Sequence, residues 1–118
     1  MRIVEITPTY SVSSQIAAAD VAEIAALGYR SIMCNRPDGE DPGQTPVAEI
    51  RAEAERLGLG FGFVPVISGQ VVNEAVAEFG ETLAGLPAPV LAYCRSGSRC
   101  QTIWKLSQDP HGQTSLSR

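Results

Sequence analysis

The residues best equipped for chemistry stand together in the run Cys94-Arg95-Ser96-Gly97-Ser98-Arg99. A thiolate is a strong nucleophile near neutral pH, and an electropositive setting raises the fraction of thiol that is ionised. Ser96, Gly97 and Ser98 are small enough for successive backbone N–H groups to close around an oxyanion where a loop runs into a helix. Arg99 can add a two-pronged guanidinium contact to phosphate or sulfate-like oxygens. From Thr82 to Gln108 there is no Asp or Glu, while Arg95, Arg99 and Lys105 are present. The run therefore predicts a catalytic pair, Cys94 and Arg99, with Arg95, Ser96, Gly97 and Ser98 binding a small anionic sulfur or phosphate substrate. The alternative is an inert buried cysteine among surface arginines.

A second polar run, Asn35-Arg36-Pro37-Asp38-Gly39-Glu40-Asp41, follows an apolar tetrapeptide. Arg36 could pair with a substrate anion. Asp38, Glu40 or Asp41 could brace Arg99 or Arg95, or supply an acid. Pro-Asp-Gly is also strong turn chemistry. Cys34, at the end of an apolar run, reads as a buried structural thiol. Cys100 could capture an oxidised Cys94 as a disulfide, or simply start a helix, which is the simpler reading. His111 is the single histidine and lies in a polar tail, a poor place for a base or ligand. No Cys/His group has zinc spacing, so neither metal nor cofactor is expected.

These loops need a scaffold. Val4-Glu5-Ile6 and Tyr10-Ser11-Val12 read as short strands around the Thr7-Pro8-Thr9 turn. Ala17, Val21, Ile24 and Ala25 share a helical face that ends at Gly28. Ser31-Ile32-Met33-Cys34 reads as a buried strand and Asn35 to Gln44 as a loop. Val47, Ile50, Ala54 and Leu57 mark a second helix, stopped by Gly58. Phe61 to Val66 reads as a strand with an end blurred by Pro65, which cannot donate to a ladder. Val72, Val76, Phe79 and Leu83 mark a third helix that ends near Gly85. Val90 to Tyr93 is another buried strand. A fourth helix should start near Arg99 or Cys100 and carry Ile103, Trp104 and Leu106. Helices alternating with strands predict a single α/β domain, with a mostly parallel central sheet flanked by helices. It should span residues 1–108, with a polar and flexible tail at 109–118. The Cys94 and Asn35 loops then share the C-terminal rim of the strands, where open α/β sheets bind ligands.

Length and composition agree. A chain of 118 residues fits one domain with a real core. A net charge of −4 argues against nucleic-acid or anionic-membrane binding. No segment approaches the roughly 20 apolar residues of a membrane span. The first residues lack a secretory signal's apolar stretch, and three cysteines cannot form a paired framework. A cytoplasmic protein with free thiols is expected.

Two motifs carry a family resemblance. Ala92 to Arg99 with Trp104, and Cys34 to Glu40 with Gln44, resemble the phosphatase-like domain family that occurs alone or fused to beta-lactamase-like hydrolases. The Gly28-to-Ile32 lead-in and Pro65-Val66 fit as well, and the resemblance runs from Ile3 to Leu106. It implies a fold similar to dual-specificity tyrosine phosphatases and activity as a sulfurtransferase or phosphatase. It also implies a beta-lactamase-like hydrolase or dioxygenase as functional partner. The chain departs from the tyrosine phosphatase signature, His-Cys-x5-Arg. Tyr93 replaces the histidine, and Cys94-x4-Arg99 is one residue shorter, as in the similar loop of rhodaneses. Val66-Ile67-Ser68-Gly69-Gln70 has no carboxylate where such phosphatases keep a general acid. Protonating an alkoxide leaving group accelerates its departure by about two to four orders of magnitude. The expectation is therefore a sulfurtransferase passing sulfur through a Cys94 persulfide. The alternatives are a phosphatase acting through a Cys94 phosphocysteine, and a catalytically weak anion-binding module.

Overall fold

The computed structural model describes residues 1–108; the tail and His111 lie outside the described residues. In chain order the elements are β1 (Ile3–Thr7), β2 (Tyr10–Ser13), α1 (Asp20–Ala26), β3 (Ser31–Cys34), α2 (Val47–Arg56), β4 (Gly60–Phe63), α3 (Asn73–Gly85), β5 (Val90–Tyr93) and α4 (Ser98–Gln108). The five strands form one sheet in the order β1-β2-β5-β3-β4. β1 pairs antiparallel with β2, and the other three pairings are parallel. This is the expected α/β domain, with one antiparallel strand at an otherwise parallel sheet. Among the described residues no helix is long and apolar enough to cross a membrane.

Strand β5 lies between β2 and β3, and Tyr93 is in register with both Ser13 and Cys34. Cys94 and Asn35 therefore leave the sheet side by side. The Cys94 N–H reaches Ser13 O at 3.3 Å and the Asn35 N–H reaches Tyr93 O at 2.8 Å. Alternation along each strand then sorts side chains to two faces. Val90, Ala92 and Cys94 join Met33, Val76, Phe79, Cys100 and Ile103 under α3 and α4. Leu91 and Tyr93 join Ile32, Cys34, Val21, Ile24, Ile50 and Ala54 under α1 and α2. Burial on both faces explains why β3 and β5 read as unbroken apolar runs. Phe79 anchors the first face, where truncation to Ala costs about 3–5 kcal/mol. Gly62 lets α3 approach β4, since a Cβ there would lie 2.6 Å from Thr82 Cγ2.

Three boundaries differ from the sequence expectation. Helix α1 starts at Asp20 and not near Ala17, because Asp20 Oδ2 takes the Ala17 N–H at 2.8 Å and closes a turn before the helix. Strand β4 ends at Phe63, although Val64 and Val66 still donate to Cys34 O and Asn35 O at 3.0 Å across the gap left by Pro65. Helix α4 begins at Ser98, within the Cys94 loop itself.

Candidate active site

Cys94 sits directly after β5 with 0 % exposure, at the floor of the loop. The Gly97 N–H donates to its Sγ at 3.1 Å. That geometry needs φ +97° at residue 97, a region open to glycine, and a Cβ would lie 3.5 Å from Ser13 C and O. The Cys94 pKa is lowered from 9.0 to about 5. The largest cause is a hydrogen bond from the Cys100 thiol, with N–H groups of Cys100, Gly97 and Ser96 adding to it against the cost of burial. Cys100 moves the other way, because its own burial pushes its thiol up. At neutral pH the pair is thus a Cys94 thiolate beside a Cys100 thiol. The N-terminus of α4 supplies further positive potential.

The arginines are held by one carboxylate. Arg99, 9 % exposed, places Nη1 and Nη2 each 2.8 Å from the two oxygens of Glu40, and Nη1 also reaches Val66 O at 2.8 Å. Arg36, 2 % exposed, donates through Nε to Glu40 at 2.8 Å, through Nη1 to Gln15 Oε1 at 3.0 Å and through Nη2 to Asp41 at 2.7 Å. The hydrogen bonds from Arg99, then those from Arg36, hold the Glu40 carboxyl at about 2 despite its partial burial. Glu40 is therefore ionised throughout the neutral range and has no proton to give.

These distances revise two assignments. Arg36 was expected to bind a substrate anion; three of its five N–H donors go instead to Glu40, Gln15 and Asp41, and at 2 % exposure it braces the loop that carries Glu40. Asp38 was expected to brace the arginines or act as an acid. Its Oδ1 instead accepts the Val47 N–H at 2.8 Å, where α2 begins. Glu40 occupies the bracing position and not the acid position. Arg95 is 70 % exposed, and its nearest carboxylate is Asp41 at 3.7 Å. Ser96 and Ser98 share a hydrogen bond of 3.0 Å on the exposed rim.

Other residues complete the site. Gln15 donates its N–H to Arg95 O at 3.2 Å while its side chain holds Arg36, so it ties the β2–α1 loop to both motifs. Nothing in the sequence marked it. Gln44 accepts the Glu40 N–H at 3.0 Å and donates to Pro37 O at 2.8 Å, which fixes the acidic loop. Cys34 lies on the opposite face of the sheet from Cys94. Its Sγ donates to Arg36 O at 3.2 Å, and burial raises its pKa. The Tyr93 hydroxyl faces the Cys34 sulfur and not the nucleophile.

A thiolate at the end of a parallel strand, ringed by N–H groups and backed by a braced arginine, places this chain among the cysteine-based, tyrosine-phosphatase-like domains. More narrowly, it belongs to the family described as beta-lactamase hydrolase-like protein, phosphatase-like domain, which it matches over residues 2–110. It is 34 % identical over 118 residues to the beta-lactamase hydrolase-like protein of Agrobacterium fabrum, covering 99 % of this chain and 27 % of that one. The chain thus spans about a quarter of the length of such relatives. A candidate phosphatase of Neisseria meningitidis, known from a crystal structure, is 36 % identical with a TM-score of 0.83, covering 92 % of this chain and 77 % of the other. A candidate phosphatase of Shewanella putrefaciens shares the fold at 18 % identity and a TM-score of 0.78, covering 94 % and 69 %. A phosphatase-like, cysteine-based domain is what these relatives support; none of them is described as a sulfurtransferase.

Proposed function

We propose that this chain is a cysteine-dependent, phosphatase-type enzyme in which Cys94 takes the transferred group of a small oxyanion as a covalent adduct. One observation carries the reading: a buried thiol held as a thiolate, near pKa 5, under a ring of N–H donors. Such a sulfur needs no base to become nucleophilic. Loop N–H groups suit the charge that develops on oxygen as the thiolate attacks. The phosphatase descriptions of the relatives support phosphorus as the atom attacked.

The leaving group then decides the substrate range. The β4–α3 segment from Val64 to Val72 contains no carboxylate, and Glu40 is ionised. An alkoxide would leave without a proton, at a cost of about two to four orders of magnitude. Phosphate esters with good leaving groups, such as aryl phosphates, escape this cost. The same observation favours a second reading, sulfur transfer. Attack by Cys94 on the sulfane sulfur of thiosulfate expels sulfite, which needs no protonation, and leaves a Cys94 persulfide for an acceptor thiol. A reducing, cytoplasmic setting is part of the proposal, because Cys94 must remain a thiolate. The names of the longer relatives support a beta-lactamase-like hydrolase as functional partner; calorimetry of the two purified proteins tests this.

The deciding experiment compares kcat/KM for an aryl phosphate, for phosphoserine, and for thiosulfate with an acceptor thiol, alongside intact mass of the protein after each. Aryl phosphate turnover far above phosphoserine turnover, lost in Cys94→Ser, supports the phosphatase reading. A mass gain of one sulfur atom, absent in Cys94→Ser, supports sulfur transfer. No turnover and no adduct on any substrate would overturn both and leave an anion-binding module.

A further inference from the structure

We propose that Cys100 is a resolving thiol, which captures an oxidised Cys94 as a reversible Cys94–Cys100 disulfide and so shields the nucleophile from irreversible oxidation. The inference needs only the Cys94 thiolate and neither choice of substrate.

The argument begins with the two faces of the sheet. Of the two other cysteines, Cys34 packs under α1 and α2, and Cys100 packs with Cys94 under α3 and α4. The sheet itself separates Cys34 from Cys94. Cys100 is buried in the same cluster as Cys94, in the first turn of the helix that opens within the Cys94 loop, and it is the leading cause of the lowered Cys94 pKa, so the two thiols are neighbours. The first turn of α4 is held in place from outside the loop. Tyr10 Oη donates to Cys100 O at 2.9 Å, and the Tyr10 ring stacks on Trp104 with centroids 5.5 Å apart. Cys100 is also fully buried, on the core side of the Cys94 loop. Its thiol is protonated at neutral pH, which makes it a reserve and not a rival nucleophile. A serine at this position could donate the same hydrogen bond to the thiolate, but it could not form the disulfide.

The oxidant is hydrogen peroxide, which is smaller than any substrate that must reach the same sulfur. The Cys94 thiolate attacks one peroxide oxygen; the O–O bond breaks, hydroxide leaves, and Cys94 becomes a sulfenic acid. The Cys100 sulfur then attacks the Cys94 sulfur. The S–O bond breaks, and the thiol proton departs with the hydroxyl as water. Two thiols lose two electrons in total, and one peroxide becomes two waters. A thiol reductant such as dithiothreitol reverses the disulfide by exchange.

The test treats the whole chain with hydrogen peroxide and follows intact mass and peptide maps, with and without dimedone to trap sulfenic acid. The wild type should lose two hydrogens, show a Cys94–Cys100 linkage, and return to its starting mass with dithiothreitol. Cys100→Ser should give a dimedone adduct on Cys94 and reach the two-oxygen sulfinate about tenfold faster than wild type. Cys100→Ala repeats the measurement should the serine variant fail to fold, and Cys34→Ser should behave as wild type. Sulfinate formation at equal rates in wild type and Cys100→Ser would overturn the proposal, as would a linkage from Cys94 to Cys34.

Discussion

Replacing Glu40 by Gln removes the one negative charge shared by two guanidiniums that have almost no contact with water. The size of the effect follows from the carboxyl itself, whose pKa drops from 4.5 to about 2 between its partners. At about 1.4 kcal/mol per unit, that drop corresponds to roughly 3 kcal/mol of stability. Glu40 is 26 % exposed, and solvent screening trims the figure to about 2 kcal/mol. Arg36 keeps Asp41 and Gln15, and Arg99 keeps Val66 O, so the fold should survive. The sign with pH is fixed by which state binds the proton. The unfolded chain protonates Glu40 near pH 4.5 and the native protein only near pH 2. The stabilisation is therefore complete above about pH 4.5 and disappears as pH falls toward about 2. Urea unfolding followed by Trp104 fluorescence should show Glu40→Gln weaker by about 2 kcal/mol at pH 7, with the gap closing between those two pH values. A gap that stays constant down to about pH 2.5, or one below about 0.5 kcal/mol at pH 7, would refute this account of the brace.

Four further outcomes can be checked. The ultraviolet absorbance of thiolate lost in Cys94→Ser should titrate with a midpoint near pH 5, and the midpoint should rise in Cys100→Ala, which removes the largest cause of the shift. Gly97→Ala should destabilise the protein by about 1–2 kcal/mol and slow reaction at Cys94, because the left-handed backbone that aims the N–H at sulfur becomes strained. Asp38→Ala should cost about 0.5–2 kcal/mol in urea unfolding through the start of α2, yet leave kcat/KM unchanged; lost turnover would place Asp38 in the site after all. Arg95→Ala should slow alkylation of Cys94 by anionic iodoacetate more than by neutral iodoacetamide, with the difference fading at high salt.

The sheet was readable in the sequence because its inner strands are buried on both faces, so Ser31–Cys34 and Val90–Tyr93 appear as short apolar runs between turn residues. The Cys94 loop was readable for a different reason: every property it needs is contiguous, from small residues to the flanking arginines. What stayed hidden is contact across sequence distance. Glu40 and Arg99 are 59 positions apart, and only the β5–β3 pairing brings their loops to one rim. Arg36 was read as an anion binder because an arginine beside a rim looks the same in sequence whether it faces a substrate or braces a loop. Asp38 was misjudged because its partner, the Val47 N–H, is nine residues ahead, beyond the three-residue reach of an ordinary helix cap. Gln15 belongs to no motif at all, and its role exists only because Ser13 and Tyr93 are in register.

The charges around the nucleophile explain why the loop is built as it is. Arg36, Arg95 and Arg99 stand against Glu40, Asp41 and the ionised Cys94, three of each sign. An approaching dianion therefore feels little net attraction at a distance, and binding must come from short-range N–H donors. Those donors act only if they already point at the anion, because turning them during the reaction would forfeit most of their benefit. Rigidity is what the brace supplies. Glu40 links the β3–α2 loop to Arg99 of α4, Val66 O links the β4–α3 segment to the same arginine, and Gln15 links the β2–α1 loop to Arg36 and to Arg95 O. Four connections at one rim are thus locked to a single guanidinium pair. The buried thiolate at Cys94 is sustained chiefly by fixed dipoles, through the hydrogen bonds of Cys100, Gly97 and Ser96. A group transferred to that sulfur meets the same dipoles, so the arrangement that ionises the nucleophile is also the one that would bind its adduct.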